Sequence, residues 1–422
     1  MTQAKTQVKK WFTLFILILG GGTIFKLSSL KDAFYIPMQE HFHLSHTQIG
    51  LALSIYALVQ TIGIIFSIYI AQRFSKKILL PIGLIGTGVV GIYLSTFPSY
   101  YGILLSWGIM ALFAEVIFWP VLIKTVKLLG NSDEQGRMFG FLEAGRGVID
   151  TIIAFSALGI FIWLGSGVVG FRAAILFFSA TVIIVGIITY FFVEHDSIVP
   201  DEDEKELSKN KIALKGALQA IKLPELWVVA FTIFSVYSVY AGLTYFIPFL
   251  KEIYGMPVAL VGAYGIINQY GLKMVGGPIG GFLVDKKFRS ASKYLRFTFL
   301  LAVIAMVIFI MLPHETMNVY LGMTATLGFG AIIFSQRAVF FAPLDEIHIP
   351  EKISGAAVSV ACLVGYFPSI FAFTMYGSVL DHNPGMSGYR IVFMIMIAFS
   401  IIGFFISHYL VHIIKKKKDI AV

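Results

Sequence analysis

Several charged side chains lie inside stretches of the chain that are otherwise apolar. Glu143, Arg146 and Asp150 are spaced three and four residues apart, so an α-helix places all three on one face. Charged groups in such helices are costly to expose to lipid and usually line an internal polar cavity. An arginine there can bind an anion through its planar fork of N–H donors, and the neighbouring acids can carry a proton.

Other candidates share this setting. Lys26 and Lys273 lie in the middle of apolar runs and have no acid of their own one turn away, while Glu115 precedes Trp119 by one turn. The predicted substrate-binding residues are Lys26, Lys31, Trp119, Arg146, Tyr240, Gln269 and Lys273. The predicted proton-coupling residues are Glu115, Glu143 and Asp150.

Two alternatives remain open for these charges. Glu143 and Arg146 are also compatible with a purely structural ion pair within one helix. Four other cations lie nearer the ends of apolar runs, and snorkelling to the membrane interface accounts for them equally well. They are Lys31, Lys124, Lys127 and Arg337.

The composition indicates that most of the chain faces lipid. Hydrophobic residues make up 58% and charged residues only 13% of the 422 residues, and the mean hydropathy is +0.85. A helix needs about 20 apolar residues to cross the hydrocarbon core, and twelve such stretches follow one another. They begin near Trp11, Thr47, Ile78, Tyr101, Arg137, Phe171, Leu226, Pro257, Lys293, Thr316, Ser354 and Gly388.

The net charge of +9 is explained by the positive-inside rule rather than by nucleic acid, because the basic residues occupy short loops between apolar runs. With twelve alternating spans these loops fall on one side, which predicts that both termini are cytoplasmic. Cys362 stands alone in an apolar run, which excludes an intrachain disulfide and a cysteine metal cluster. We expect no metal and no cofactor.

The second half of the chain repeats the pattern of the first. Gly50 and Gly262 each open an apolar run that ends in a short basic loop, and they lie about half the chain length apart. The predicted fold is therefore an all-α polytopic membrane protein with twelve transmembrane helices in two pseudo-symmetric six-helix bundles. The predicted segments are a first bundle at 1–193, a cytoplasmic linker at 194–225, a second bundle at 226–414 and a basic cytoplasmic tail at 415–422.

Three groups of residues carry a family resemblance: Trp119-Pro120 with Lys124, Pro224-Glu225-Leu226-Trp227, and Gly365-Tyr366. With the repeated basic loop, they make the chain resemble the major facilitator superfamily. Within it, the organophosphate:phosphate antiporters and related anion:cation symporters are the most similar branch. The resemblance covers nearly the whole chain.

The resemblance implies site residues as well as the fold. The loop signature of the superfamily implies gating contacts for Arg73, Lys76 and Lys77, and for Asp285 and Lys286 in the better-preserved second copy. Sugar-phosphate members hold phosphate with cations in spans one and seven. Here Tyr240 takes the span-seven position and Arg146 the span-five position of an assisting polar residue, which favours a singly charged head group.

Together these observations predict a secondary active transporter for a small organic anion: a sulfonate, a carboxylate or a phosphate ester. The halves would expose a midplane site to each side in turn, with proton symport or anion exchange as the driving process. The chain is expected to act as a monomer in the plasma or inner membrane, without nucleic acid and without enzymatic activity. The alternatives are an exporter of amphipathic drug-like compounds, and a non-transporting membrane sensor or enzyme.

Overall fold

The computed structural model describes residues 2–129, 134–194, 216–314 and 316–421, which contain helices, turns and loops but no strand. The chain divides into two compact units, one of Met1–Pro200 with Pro257–Gly271 and one of Asp201–Met256 with Leu272–Val422. The predicted domain boundaries stay a prediction, and residues 195–215 of the predicted linker lie outside the described residues.

The first unit contains the first six spans. Its helices are α1 (Thr2–Thr23), α2 (Lys31–Phe42), α3 (His46–Arg73), α4 (Lys76–Leu94), α5 (Tyr100–Ala111), α6 (Trp119–Leu129), α7 (Gln135–Trp163) and α8 (Val168–Phe192). A π-helix at Leu112–Phe118 joins α5 to α6. A further helix of this unit, α11 (Val258–Ile266), contacts α2 and α7 and continues into a π-helix at Ile267–Gly271.

The second unit contains the remaining helices. They are α9 (Pro224–Gly242), α10 (Phe246–Tyr254), α12 (Leu272–Leu283), α13 (Ala291–Met311), α14 (Val319–Val339), α15 (Pro343–Glu346), α16 (Glu351–Gly365), α17 (Pro368–His382) and α18 (Met386–Ala421). A 3₁₀ turn at Leu243–Tyr245 joins α9 to α10, and a π-helix at Val284–Phe288 follows α12.

The twelve predicted spans are confirmed. Within the described residues, ten helices are long and apolar enough to cross a membrane, and α1 with α2 and α11 with α12 correspond to the other two spans, the first and the eighth. Eleven of the twelve spans begin within about three residues of the predicted positions. The first helix begins earlier, because its basic N-terminal segment is helical too.

Local sequence explains where several spans begin. Ser45 and Gln48 form a reciprocal capping box at the start of α3, and the Ser75 side chain accepts a hydrogen bond from the Lys77 N–H at the start of α4. Pro224 stands at the N-terminus of α9, where its missing N–H costs nothing. These signals fix the helix starts that position the polar residues described next.

Each unit has its own apolar core. In the first unit, buried residues of α1, α4, α6, α7 and α8 pack together, among them Leu17, Leu84, Leu122 and Leu142. In the second unit, the core includes Val229, Leu295, Phe299 and Leu410. A small number of charged groups interrupts these apolar surroundings.

Candidate substrate-binding site

The break in the first span lies at residues 24–30, between α1 and α2, and Lys26 is in it. Its side chain is 2% exposed, and its Nζ lies 2.7 Å from Oδ1 of Asp150 on α7. The same Nζ donates a hydrogen bond of 3.3 Å to the backbone oxygen of Asp150. The pair satisfies two buried charges that would each be costly alone.

A phenol ring from the eighth span contacts the same lysine. Lys26 Nζ lies 3.6 Å from the centroid of the Tyr270 ring, and the Tyr270 hydroxyl donates a hydrogen bond of 3.1 Å to Oδ2 of Asp32. Oδ1 of Asp32 pairs in turn with Nζ of Lys31. Lys26, Lys31 and two carboxylates therefore form one buried network around the break in the first span.

Arg146 lies on α7, one turn before Asp150. Its Nη1 is 2.7 Å from Oε1 of Glu143, and its Nε donates a hydrogen bond of 3.1 Å to the backbone oxygen of Gly21. The guanidinium carbon lies 4.5 Å from the centroid of the Trp119 ring. The arginine is 8% exposed, whereas 51% of the Glu143 side chain is exposed. A buried cation is thus paired with an acid whose side chain is half exposed.

Glu115 lies on the π-helix between α5 and α6. Its Oε1 accepts a hydrogen bond of 3.2 Å from the Tyr56 hydroxyl of α3. Single-turn π segments are frequent at functional sites because they rotate the side chains that follow. Here the π segment comes directly before Trp119 and its contact with Arg146.

The structure brings most of the predicted site residues of the first unit together, but it changes the charge balance. Lys26, Lys31 and Arg146 each have a carboxylate partner, so the charges of these three predicted anion-binding cations are balanced within the unit. The three charged residues predicted to share one face of a helix have different partners, because Glu143 pairs with Arg146 whereas Asp150 pairs with Lys26. Gln269, from the π segment of the eighth span, is buried in the same unit.

In the second unit, Tyr240 of α9 contacts a cation that the sequence analysis did not place in the site. The guanidinium carbon of Arg337 lies 3.9 Å from the centroid of the Tyr240 ring and 5.1 Å from that of Tyr237. The aromatic spacing of Tyr237 and Tyr240 on one helix was the available signal for a cation opposite them. Lys273 lies at the start of α12, directly after the π segment.

The predicted gating residues lie at the ends of spans. Lys76 and Lys77 are in the first turn of α4, with Lys77 Nζ 5.6 Å from the centroid of the Tyr190 ring. Asp285 and Lys286 lie on the π-helix after α12. The side chain of Arg73 lies outside the described residues. The gating role stays a prediction.

The break in the first span, the π segment in the eighth, the polar residues at both and the two helical units are features of a secondary transporter. The family model of the Major Facilitator Superfamily matches residues 11–373, so the chain belongs to this family of membrane transporters. The family and the apolar helices make it a multi-pass membrane protein.

The chain is also similar to curated proteins. It is 52% identical over 413 residues to the inner membrane protein YihN of Escherichia coli K12, covering 97% of both chains. It is 27% identical over 384 residues to the inner membrane protein YqcE of the same organism, covering 90% of each.

Solved structures share the fold. A bacterial homologue of the human lysosomal transporter Spinster, in an inward-facing and unoccupied conformation, superposes with a TM-score of 0.78 at 16% identity over 97% of this chain and 98% of that one. A D-xylose-proton symporter superposes with a TM-score of 0.67 at 14% identity over 97% of each chain. At these identities the likeness concerns the fold alone.

Proposed function

We propose that this protein moves a small organic anion, a sulfonate, a carboxylate or a phosphate ester, across the inner membrane by alternating access, coupled to a proton. The observation that carries the proposal is the pair of Glu143 and Arg146. A guanidinium packed against Trp119 and held by the Gly21 carbonyl is fixed in position, and its carboxylate partner is half exposed. A substrate anion can replace that carboxylate without moving the arginine.

Charge balance supports proton coupling. Because Lys26, Lys31 and Arg146 are each matched by a carboxylate, an added anion would leave this buried network with an uncompensated negative charge. Protonation of Glu143 removes one negative charge and releases Arg146 for the substrate. Proton and anion binding then favour each other, which is the coupling that a symporter requires.

The other residues have supporting roles in this proposal. Trp119 packs against the arginine and the body of the substrate, while Lys26 and Asp150 hold the broken first span in shape. Glu115 and Asp150 are the further candidates for proton uptake. Lys31, Tyr240, Gln269 and Lys273 are proposed substrate contacts, and the residues at the basic loops are proposed gates.

The first experiment measures which ligands stabilise the purified protein against heat. The panel contains isethionate, glycolate, glycerol 3-phosphate, inorganic phosphate and a lipophilic cation. A ligand at 100 times its Kd raises the free energy of unfolding by about 2.7 kcal/mol, which is a readily measured shift. We expect stabilisation by one class of organic anion.

Arg146→Gln should abolish this stabilisation because it removes the fork that binds the anion. The matched control is Arg172→Gln, since Arg172 is exposed and also stacks on an aromatic ring, that of Phe97, outside the site. Stabilisation by the lipophilic cation alone would replace the anion proposal by an exporter of cationic compounds.

Uptake into proteoliposomes tests the coupling. In the parent protein, an inwardly directed proton gradient should drive accumulation of the stabilising anion. Glu143→Gln should abolish gradient-driven accumulation while exchange of internal for external anion continues, because the arginine is then permanently free of a charged partner. If Glu143→Gln and Asp150→Asn both left gradient-driven uptake unchanged, these acids would not carry the proton and anion exchange would be the preferred mechanism.

A further inference from the structure

Arg337 of the second unit lies in a box of aromatic rings. Its guanidinium carbon is 3.9 Å from the Tyr240 centroid, 5.1 Å from that of Tyr237 and 5.7 Å from that of Phe334, and Nη2 donates a hydrogen bond of 3.1 Å to the Tyr237 hydroxyl. The ring of Tyr366 packs on Tyr237 with a centroid distance of 4.4 Å. The rings hold the guanidinium plane in one orientation.

This arginine has no acid to balance it within the described residues. No carboxylate forms an ion pair with Arg337, and its buried Nε has no hydrogen-bond partner there. A phenol oxygen and ring faces attract a cation more weakly than a carboxylate does. Arg146 of the first unit also stacks on an aromatic ring but has Glu143 beside it. Arg337 is therefore a partly buried cation without a carboxylate partner among the described residues, and a bound anion would supply its counter-charge.

The arginine lies deeper in its span than its position near the end of α14 suggests. The tenth span continues after α14 through a turn into α15, which ends at Glu346. The eleventh span is broken at Tyr366, about halfway between its first residue, Glu351, and its last, His382. Because Tyr366 contacts the Tyr237 ring that binds Arg337, the guanidinium lies near mid-depth. Snorkelling to the membrane interface does not explain it.

We propose that Arg337 is an anion-binding residue of the second unit and binds a singly charged group, a sulfonate or a carboxylate. The inference rests on the proposed function and adds the residue and the charge class. One guanidinium supplies one positive charge and a planar pair of donors, which matches a monoanion with two oxygens presented side by side. In the described part of the aromatic box around Arg337, no carboxylate is present that could take up a further proton.

The test compares the apparent Kd of isethionate, glycolate and glycerol 3-phosphate in thermal-shift titrations. Arg337→Gln should raise the Kd of the preferred monoanion by about ten- to a hundredfold, the loss expected for a hydrogen-bonded charge. Arg337→Lys should give a smaller loss, because it keeps the charge without the fork. Arg390→Gln, which removes an exposed arginine of the same unit, should leave the Kd unchanged.

The outcomes separate this inference from the proposed function. If none of the three anions stabilises the parent protein, the proposed function fails. If they stabilise it, and Arg146→Gln removes the effect while Arg337→Gln and Arg337→Lys do not, the role of Arg337 is refuted and the proposed function stands. If Arg337→Gln does not fold, Arg337→Lys decides, and an unchanged Kd in that variant contradicts the proposal. Tighter binding of glycerol 3-phosphate than of both monoanions by the parent protein also contradicts it.

Discussion

At the scale of single residues, the buried ion pairs cost desolvation free energy and make the contacts between particular helices specific. Lys26 and Asp150 are both nearly inaccessible, and their charged atoms are 2.7 Å apart. Removing one partner leaves the other charge buried and uncompensated, whereas removing both leaves two neutral groups. The pair therefore couples the broken first span to α7.

Asp150→Asn should lower the free energy of unfolding by about 3–5 kcal/mol, because Lys26 then keeps a buried charge without its partner. The double variant Lys26→Gln with Asp150→Asn should recover much of this loss. Thermal unfolding in detergent measures both, and Glu194→Gln, at the exposed ion pair with Lys9, is a control expected to change little. Equal destabilisation by the single and the double variant would show that the pair is not what stabilises this contact.

Individual site residues were predictable where the partner is close in sequence. Glu143 and Arg146 are one turn apart, so their spacing alone predicts the pair that is present. The partner of Lys26 was missed because Asp150 is 124 residues away, a distance that only the fold closes. Arg337 was missed for the same reason, since its aromatic box comes from different spans.

At the scale of elements, several polar candidates lie where a span departs from regular α-helix. Lys26 lies in the break of the first span, Glu115 on the π segment of the fourth and Gln269 on that of the eighth. Hydropathy and helical spacing predicted the spans but not these interruptions. A π segment adds one residue to a turn through packing between helices, so no local motif in the sequence marks it.

Close packing of α1 on α7 positions both Lys26 and Arg146. A Cβ added to Gly22 would lie 2.8 Å from Cβ of Ile149, and one added to Gly21 would lie 2.9 Å from Cδ of Arg146. The two helices can approach this closely only because glycines stand at the contact. The glycines of α1 are thus part of what places the arginine.

Gly22→Ala should therefore destabilise the protein by about 1–3 kcal/mol and weaken anion binding, since the added methyl group pushes α1 away from α7. Gly159→Ala, on α7 itself, is the matched control. A Cβ there meets nothing within 4 Å, so the higher helix propensity of alanine should leave stability equal or slightly raised. Unfolding temperature and the Kd of the stabilising anion are the two measurements. Equal behaviour of the two variants would contradict the packing argument.

At the scale of the whole molecule, composition and repetition were enough to predict the fold. Twelve apolar runs, repeated basic loops and a duplicated half specify a twelve-helix transporter, because a bilayer permits few other ways to satisfy the backbone. The orientation in the membrane follows from a different quantity, the distribution of Lys and Arg among the short loops. Substrate identity has no comparable global signal, since it depends on a few contacts brought together by folding.

The prediction that concerns the whole molecule is its orientation in the membrane: both termini are expected to be cytoplasmic. In a Cys362→Ser background, Ser99→Cys in the loop between α4 and α5 should react with a membrane-impermeant maleimide in right-side-out vesicles. Lys416→Cys near the end of α18 should react only after permeabilisation. Both positions are exposed, so a lack of reaction reports the side of the membrane rather than burial. The reverse pattern would contradict the positive-inside assignment and would place the basic tail outside, where the membrane potential opposes four consecutive lysines, Lys415 to Lys418.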